Sequence, residues 1–285
     1  MSLTKKIDFA IIFEVKNANP NGDPLNGNRP RTDYDGLGEI TDVCIKRKIR
    51  NRLLDNGHNI FVQSDDYKKD EATSLRDRAE LNLGKEFFKK PKDDIAKEAC
   101  EKWFDVRAFG QLFAFSNKKV KAKDSEDSKN DANGVSIPIR GPVSIQSAFS
   151  IEPISISSTQ ITKSVNSEGD GNKKASDTMG MKHRVDKGIY TLFGSMNPQL
   201  SEKTGFNDAD AEVLKGILPK LFENDASSAR PEGSMNVLQV FWWQHNCKSG
   251  QHSSAKVHGT LKVNADGTFN LDKLSELEPE IIPGF

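Results

Sequence analysis

The sequence is short of several things, and each shortage excludes a class of protein. It has three cysteines in 285 residues, Cys44, Cys100 and Cys247, with no CxxC pair. A disulfide framework is excluded, no standard zinc site is spelled out, and a reduced, cytoplasmic protein is expected. It lacks net charge: 41 Lys and Arg balance 41 Asp and Glu. An undifferentiated basic protein of histone type is thereby excluded, although a local basic stripe is compatible with neutrality. Long apolar runs are missing too. Ile7–Val15 is too short to span a bilayer and is interrupted by Asp8, so neither a membrane anchor nor a signal peptide is expected. There is no Walker loop, no GxGxxG after a strand, no GxSxG and no HExxH, which argues against a nucleotide cofactor and against the common hydrolase sites. No cofactor or catalytic metal is expected, and no internal repeat is present.

What remains is a chain long enough for one large domain. Ile7–Val15 is β-branched and aromatic and predicts a buried strand. A loop rich in Asn, Gly and Pro follows, from Asn17 to Gly38. Thr41 then offers an N-cap, and Ile45, Ile49 and Leu53 recur at helical spacing, with Gly57 as a stop. Lys46, Arg47, Lys48, Arg50 and Arg52 are expected on the opposite side of that helix. Residues 64–104 are charged and helical in pattern, with Leu75, Ala79, Leu81, Ala96, Ala99 and Trp103 as inward candidates. Val106–Phe115 reads as a short strand. Residues 117–133 are polar, with one large aliphatic, Val120, and predict a flexible loop. Residues 135–161 are extended in character, with bends at Pro138 and Pro142. Ile189–Phe193 reads as a strand. Asn207 caps a helix whose inner face runs from Val213 to Phe222, kinked at Pro219. Val237–Trp243 is an apolar strand. Asn264–Gly267 is a hairpin turn between extended segments at 256–263 and 268–271. This order predicts an α+β fold with helices on one sheet face, such as a ferredoxin-like (βαββαβ) core with large insertions.

Five groups of residues invite a chemical reading. The basic helix, with Arg29 and Arg31 upstream, suits either phosphate contact or an ordinary solvated face. In the glycine loop, Asp23, Asp33 and Asp35 suit turn formation, with a metal or a nuclease base as the alternative. Met179–Arg184 combines methionines with Lys182, His183 and Arg184, a composition able to wedge between bases while holding phosphate. A packed surface loop accounts for it equally well, and the flanking polar segment is expected to form a protruding hairpin. Arg107–Phe115 misses the RNP1 pattern, so Phe109, Phe113 and Phe115 are assigned to the core. His245, Cys247, His252 and His258 match no standard finger, and the histidines are expected to face solvent. At least one of Trp242 and Trp243 is expected in the core.

Five segments in order, Ile11–Pro24, Gly38–Arg50, Asp105–Gly110, Ile139–Phe149 and Met179–Val185, resemble the backbone subunit of type I CRISPR Cascade complexes, most closely the subtype I-C form. The resemblance runs from about residue 7 to residue 245. It implies a modified RNA-recognition (RRM-like) fold described as palm, fingers and thumb, forming a single domain over 1–285. It implies a finger-type insertion at 64–104 and a thumb-like extension at 155–188. It further implies a non-catalytic subunit that polymerises head to tail along CRISPR RNA and presents the guide to target DNA. The implied partners are copies of itself, the other Cascade subunits and a helicase-nuclease, with no membrane. By motif, Lys46, Arg47 and Arg50 would face the RNA backbone. Met179, Lys182, His183 and Arg184 would be thumb contacts, and Arg107, Arg140, Gln146 and Ser147 would lie near the palm. The alternative is a metal-dependent endoribonuclease of a related effector, with Asp23 or Asp33 as the loop aspartate.

Overall fold

The structure is a computed structural model, and it describes residues 2–115, 135–162 and 179–285. The expected loop at 117–133 lies outside the described residues, as does the segment 163–178.

In chain order the strands and helices begin with β1 (Ile7–Ala18), β2 (Gly22–Asp23), β3 (Arg29–Pro30), β4 (Leu37–Ile40) and α1 (Asp42–Asp55). A helical segment follows: α2 (Leu75–Leu83), α3 (Lys92–Lys102) and α4 (Phe104–Phe109). Then come β5 (Gly110–Phe115), β6 (Val135–Arg140), β7 (Val143–Ile145), β8 (Ala148–Pro153), β9 (Ile156–Thr162) and the long β10 (Met179–Met196). The last part holds α5 (Pro198–Thr204), α6 (Asp208–Ile217), β11 (Met235–Gln244), α7 (Ser254–His258), β12 (Leu261–Val263), β13 (Phe269–Leu271) and β14 (Glu280–Pro283). The fold is mixed α+β. No helix among the described residues is long and apolar enough to cross a membrane.

A large antiparallel sheet runs in the order β14-β11-β1-β10-β8-β4, with β7 and β9 also paired to β10. β1 lies at its centre, and strand alternation sends its side chains to two cores. Phe9, Ile11, Phe13 and Val15 enter the larger core, with Ile45, Ile49 and Leu53 of α1 and Leu214 and Ile217 of α6. Ala10 and Ile12 meet Phe241 and Trp243 on the other face, beneath Val257 and Leu261. Both Trp242 and Trp243 are buried. A third core belongs to the helical segment and the β5–β6 hairpin: Phe61, Ala79, Phe87, Ile95, Trp103, Val106, Phe113 and Ile137.

Helix ends fall where the capping residues sit. The Thr41 side chain accepts from Cys44 N, and Asn207 and Asp210 form a capping box at the start of α6. Pro219 ends α6 rather than kinking it, and a 3-10 turn, Leu218–Lys220, follows.

Four expectations are corrected. Residues 106–109 are helical, not extended. α4 is buried on two sides, with Phe104 and Ala108 toward the main core and Trp103 and Val106 toward the third. Apolar residues serving two cores mimic the alternation of a strand. Lys256–His258 is likewise helical, because Ser253 caps a turn there by accepting from Lys256 N. Leu81 is exposed. It lies two residues from the buried Ala79, and two residues place a side chain on nearly the opposite face of a helix. His245 and His258 do not face solvent. Both are buried against Asp8 of β1.

That last contact is a small polar island inside the sheet. Gln251 N donates to His245 Nδ1 at 2.9 Å, so the ring proton sits on Nε2 and is donated to Asp8 Oδ2 at 2.8 Å. Lys6 Nζ lies 3.1 Å from the same oxygen. His258 Nε2 donates to Gly194 O at 3.1 Å. Burial pushes the Asp8 carboxyl up, but His245, the Ser254 hydroxyl and Lys6 outweigh it and hold it below its usual value. Burial also holds the His258 imidazole below its usual value, against the opposing pull of Asp8.

Candidate nucleic-acid interface

The basic helix is not a free basic stripe. Lys48 is fully buried in an ion pair with Asp225, with its ammonium over the Phe222 ring. Burial pushes that ammonium below its usual value, with Asp225 opposing. Arg50 Nε donates to Asp105 Oδ2 at 2.8 Å, and its guanidinium lies over Phe109. Asp105 also accepts from Phe61 N and Val62 N, so this pair ties α1 to the helical segment. Arg52 pairs with Asp55, and Lys46 pairs with Asp42 at 2.9 Å, one turn away. Arg47 is half-buried and makes no ion pair among the described residues.

Arg107 is also committed. It donates twice to Asp210, at 3.0 and 2.7 Å, and stacks over Phe104. Arg31 is half-buried and lies 3.4 Å from Asp23, whereas Arg29 on β3 is exposed. Arg140 is exposed at the end of β6. Its position is fixed by a backbone crossing: a Cβ at Gly141 would collide with the Ala108 carbonyl oxygen, so only glycine fits. Gln146 is exposed and Ser147 half-buried, and Gln146 N donates to Phe193 O.

The methionine segment contrasts with all of this. It is the first third of β10, paired with β9 from Met179↔Thr162 to Val185↔Ile156. Met179 and Met181 are 59% and 54% exposed, and Ile161 across from them is exposed as well. Lys182 and Arg184 are exposed. Lys182 has no ion pair among the described residues, and the nearest carboxylate to Arg184 is Asp186 at 3.8 Å. Facing them are Ser157, Ser158, Thr159 and Gln160, polar and uncharged. His183 alone is buried, with Ser158 Oγ 2.7 Å from its Nδ1. The result is an arm with apolar knobs and exposed cations, of which Arg184 has only a long contact with Asp186, a surface suited to nucleic-acid contact.

The fold brings Arg29 to this strand, because β3, which carries it, packs against β10. It also adds two cations missed by sequence reading. Lys16 and Lys187 are direct partners across β1 and β10, both exposed, with Glu14 3.3 Å from Lys187. Only the strand register reveals them. The helix α1 lies elsewhere on the main core and is linked to the loop through Asn21, whose Oδ1 accepts from Thr41 N and Oγ1.

The loop acids are engaged in turns. Asp23 accepts from Leu25 N, and Asp33 Oδ1 accepts from Asp35 N and Leu37 N. Among the described residues no group of three or more His, Cys, Asp or Glu is placed to hold a metal ion.

A sequence model of the CRISPR-associated protein Cas7 family matches residues 5–280. The chain therefore belongs to the Cas7 family. It is similar to a CRISPR-associated protein Cas7 of Haloferax volcanii, 25% identical over 99% of this chain and 82% of that one. Among solved structures, a chain of a CRISPR RNA-guided surveillance complex in its pre-nicking state is 17% identical, with a TM-score of 0.47, covering 84% of this chain and 75% of that one. A chain of another CRISPR RNA-guided surveillance complex is 16% identical, with a TM-score of 0.43, covering 92% and 77%.

Proposed function

We propose that this chain is a non-catalytic, CRISPR RNA-binding backbone subunit of a type I Cascade surveillance complex, of the I-C kind. Copies polymerise head to tail along the RNA and leave the guide bases open to pair with invading DNA. Other Cascade subunits cap the assembly, a helicase-nuclease is recruited to it, and all of this takes place in the cytoplasm. The observation that carries the reading is the family match across residues 5–280, joined to an arm whose methionines and cations are left uncovered by the fold.

Further features support it. The order β11-β1-β10-β8, with α1 following β1 and α6 preceding β11, suits a ferredoxin-like, RRM-type palm. On this reading the chain is one RRM-like domain. Residues 64–104, which share a separate hydrophobic cluster with the β5–β6 hairpin, act as fingers, and 155–188 is the thumb. Contacts to RNA are assigned to Met179, Lys182, Arg184, Arg29 and Arg140, with Lys16 and Lys187 added. Gln146, Ser147, Arg47 and Lys46 border the path. His183, Arg31, Arg50 and Arg107 act by holding the contacting elements in place.

The test is to purify the chain with its CRISPR RNA and partner subunits. RNA should co-purify in an assembly of several copies, with affinity falling steeply as salt rises. A monomer that stays free of RNA under these conditions sinks the reading.

A further inference from the structure

Tyr34 is fully exposed and has no hydrogen-bond or ring partner among the described residues. An aromatic ring in water contributes nothing to the stability of the fold. Yet its backbone is tightly built. Asp33 Oδ1 accepts from Asp35 N at 3.0 Å and from Leu37 N at 2.8 Å, and Asp33 N donates to Leu37 O at 2.9 Å. Gly36 takes the left-handed conformation that closes the turn, at φ 79°. Below the turn, Thr32 bridges to Gly38 and Glu39 N donates to Arg31 O. The turn is fastened to the root of the β9–β10 arm: Ile154 N donates to Gly36 O at 3.0 Å, and Leu37 pairs with Pro153. A bare ring thus stands on a fixed backbone turn at the base of the arm.

We propose that Tyr34 is a stacking platform for an unpaired nucleobase of the bound RNA, an inference that rests on the RNA-binding reading above. A single ring on a rigid turn suits one planar base, since stacking needs a π-face and little area. A protein partner would need a continuous apolar patch, and the neighbours of Tyr34 are Thr32, Asp33, Asp35 and Gly36. The two flanking acids do not argue against a base. Asp33 is engaged with backbone N–H groups, and stacking places the base face, not a phosphate, on the ring. Phosphates are left to the arm and to Arg29.

The experiment is fluorescence anisotropy of a fluorescein-labelled, mixed-sequence single-stranded RNA titrated with the full chain and with Tyr34→Ala and Tyr34→Phe. Tyr34→Ala should weaken binding by about fivefold or more, the low end for loss of one stacked base. Tyr34→Phe should bind as the wild type does. The dependence of affinity on salt should be the same for all three, because every phosphate keeps its cation. Equal affinity of wild type and Tyr34→Ala overturns the assignment while leaving the RNA-binding reading intact. Loss of self-association in Tyr34→Ala with unchanged RNA affinity also overturns it, and assigns the ring to a contact between copies. A wild-type chain that binds no RNA overturns both.

Discussion

Helix α1 and the outer part of β10 are both basic in sequence and opposite in behaviour. Of the five cations on α1, Lys48 and Arg52 are buried, and Lys46 and Arg50 are ion-paired. On β10, Lys182 and Arg184 stand in water beside two exposed methionines. The difference lies in the surroundings, not in the side chains. A helix packed on a core has neighbours on most of its circumference, so Lys48 and Arg50 meet Asp225 and Asp105 from elsewhere, while Lys46 and Arg52 pair with Asp42 and Asp55 of the helix itself. A two-stranded arm has no third layer to supply them. Charge counted along a sequence is therefore a poor guide to charge available to a ligand, and paired cations hold a fold together instead.

The largest expected effect tests the paired half of this contrast. Asp225→Ala strands the buried Lys48 ammonium and should cost about 3 kcal/mol or more of stability by chemical denaturation. A loss below about 1 kcal/mol would place Lys48 with the free cations. Next, Arg107→Ala leaves the buried Asp210 carboxylate without its two hydrogen bonds. It should cost about 2 kcal/mol while leaving the slope of RNA affinity against salt in an anisotropy titration unchanged, because no phosphate loses a cation.

The arm should respond in the opposite sense. The double substitution Lys182→Glu and Arg184→Glu should leave the melting midpoint nearly unmoved, within about 0.5 kcal/mol. RNA binding should weaken, and the slope of log affinity against log salt should flatten by about 0.7 for each phosphate no longer neutralised. An unchanged slope would remove these cations from the interface.

The smallest effect extends the comparison to the buried Asp8. A carboxyl held below its free value stabilises the fold fully above pH 3.8, and that contribution is lost as the pH falls toward the folded value. His258 adds a separate loss as the pH falls below 6.5, because burial favours its neutral form. Stability followed by denaturant unfolding should therefore decline in two stages on acidification. Asp8→Asn should flatten the stage below pH 3.8 relative to the wild type.

Much of the frame was legible in the sequence, because it rests on local chemistry. β1, the Thr41 cap of α1, the Asn207 cap of α6, the apolar β11 and the turn at Asn264–Gly267 all announce themselves within a few residues. Long-range pairing does not. Arg50 meets Asp105 and Lys48 meets Asp225, partners 55 and 177 residues away. Lys16 and Lys187 become neighbours only through strand register. α4 misled because its side chains serve two cores at once. The arm's composition left a packed surface loop and an exposed contact segment equally open, and its exposure follows from the tertiary arrangement.

The polar island around Asp8 ties the two ends of the chain into one event. Asp8 lies on the central strand, and the histidine that donates to its carboxylate lies 237 residues later in the chain. Without that stretch the buried Asp8 carboxylate keeps Lys6 at 3.1 Å but loses its imidazole donor, which leaves part of its burial cost uncompensated. A chain broken off after Gln244 would retain every strand from β1 to β11 and bury Asp8 without its imidazole donor.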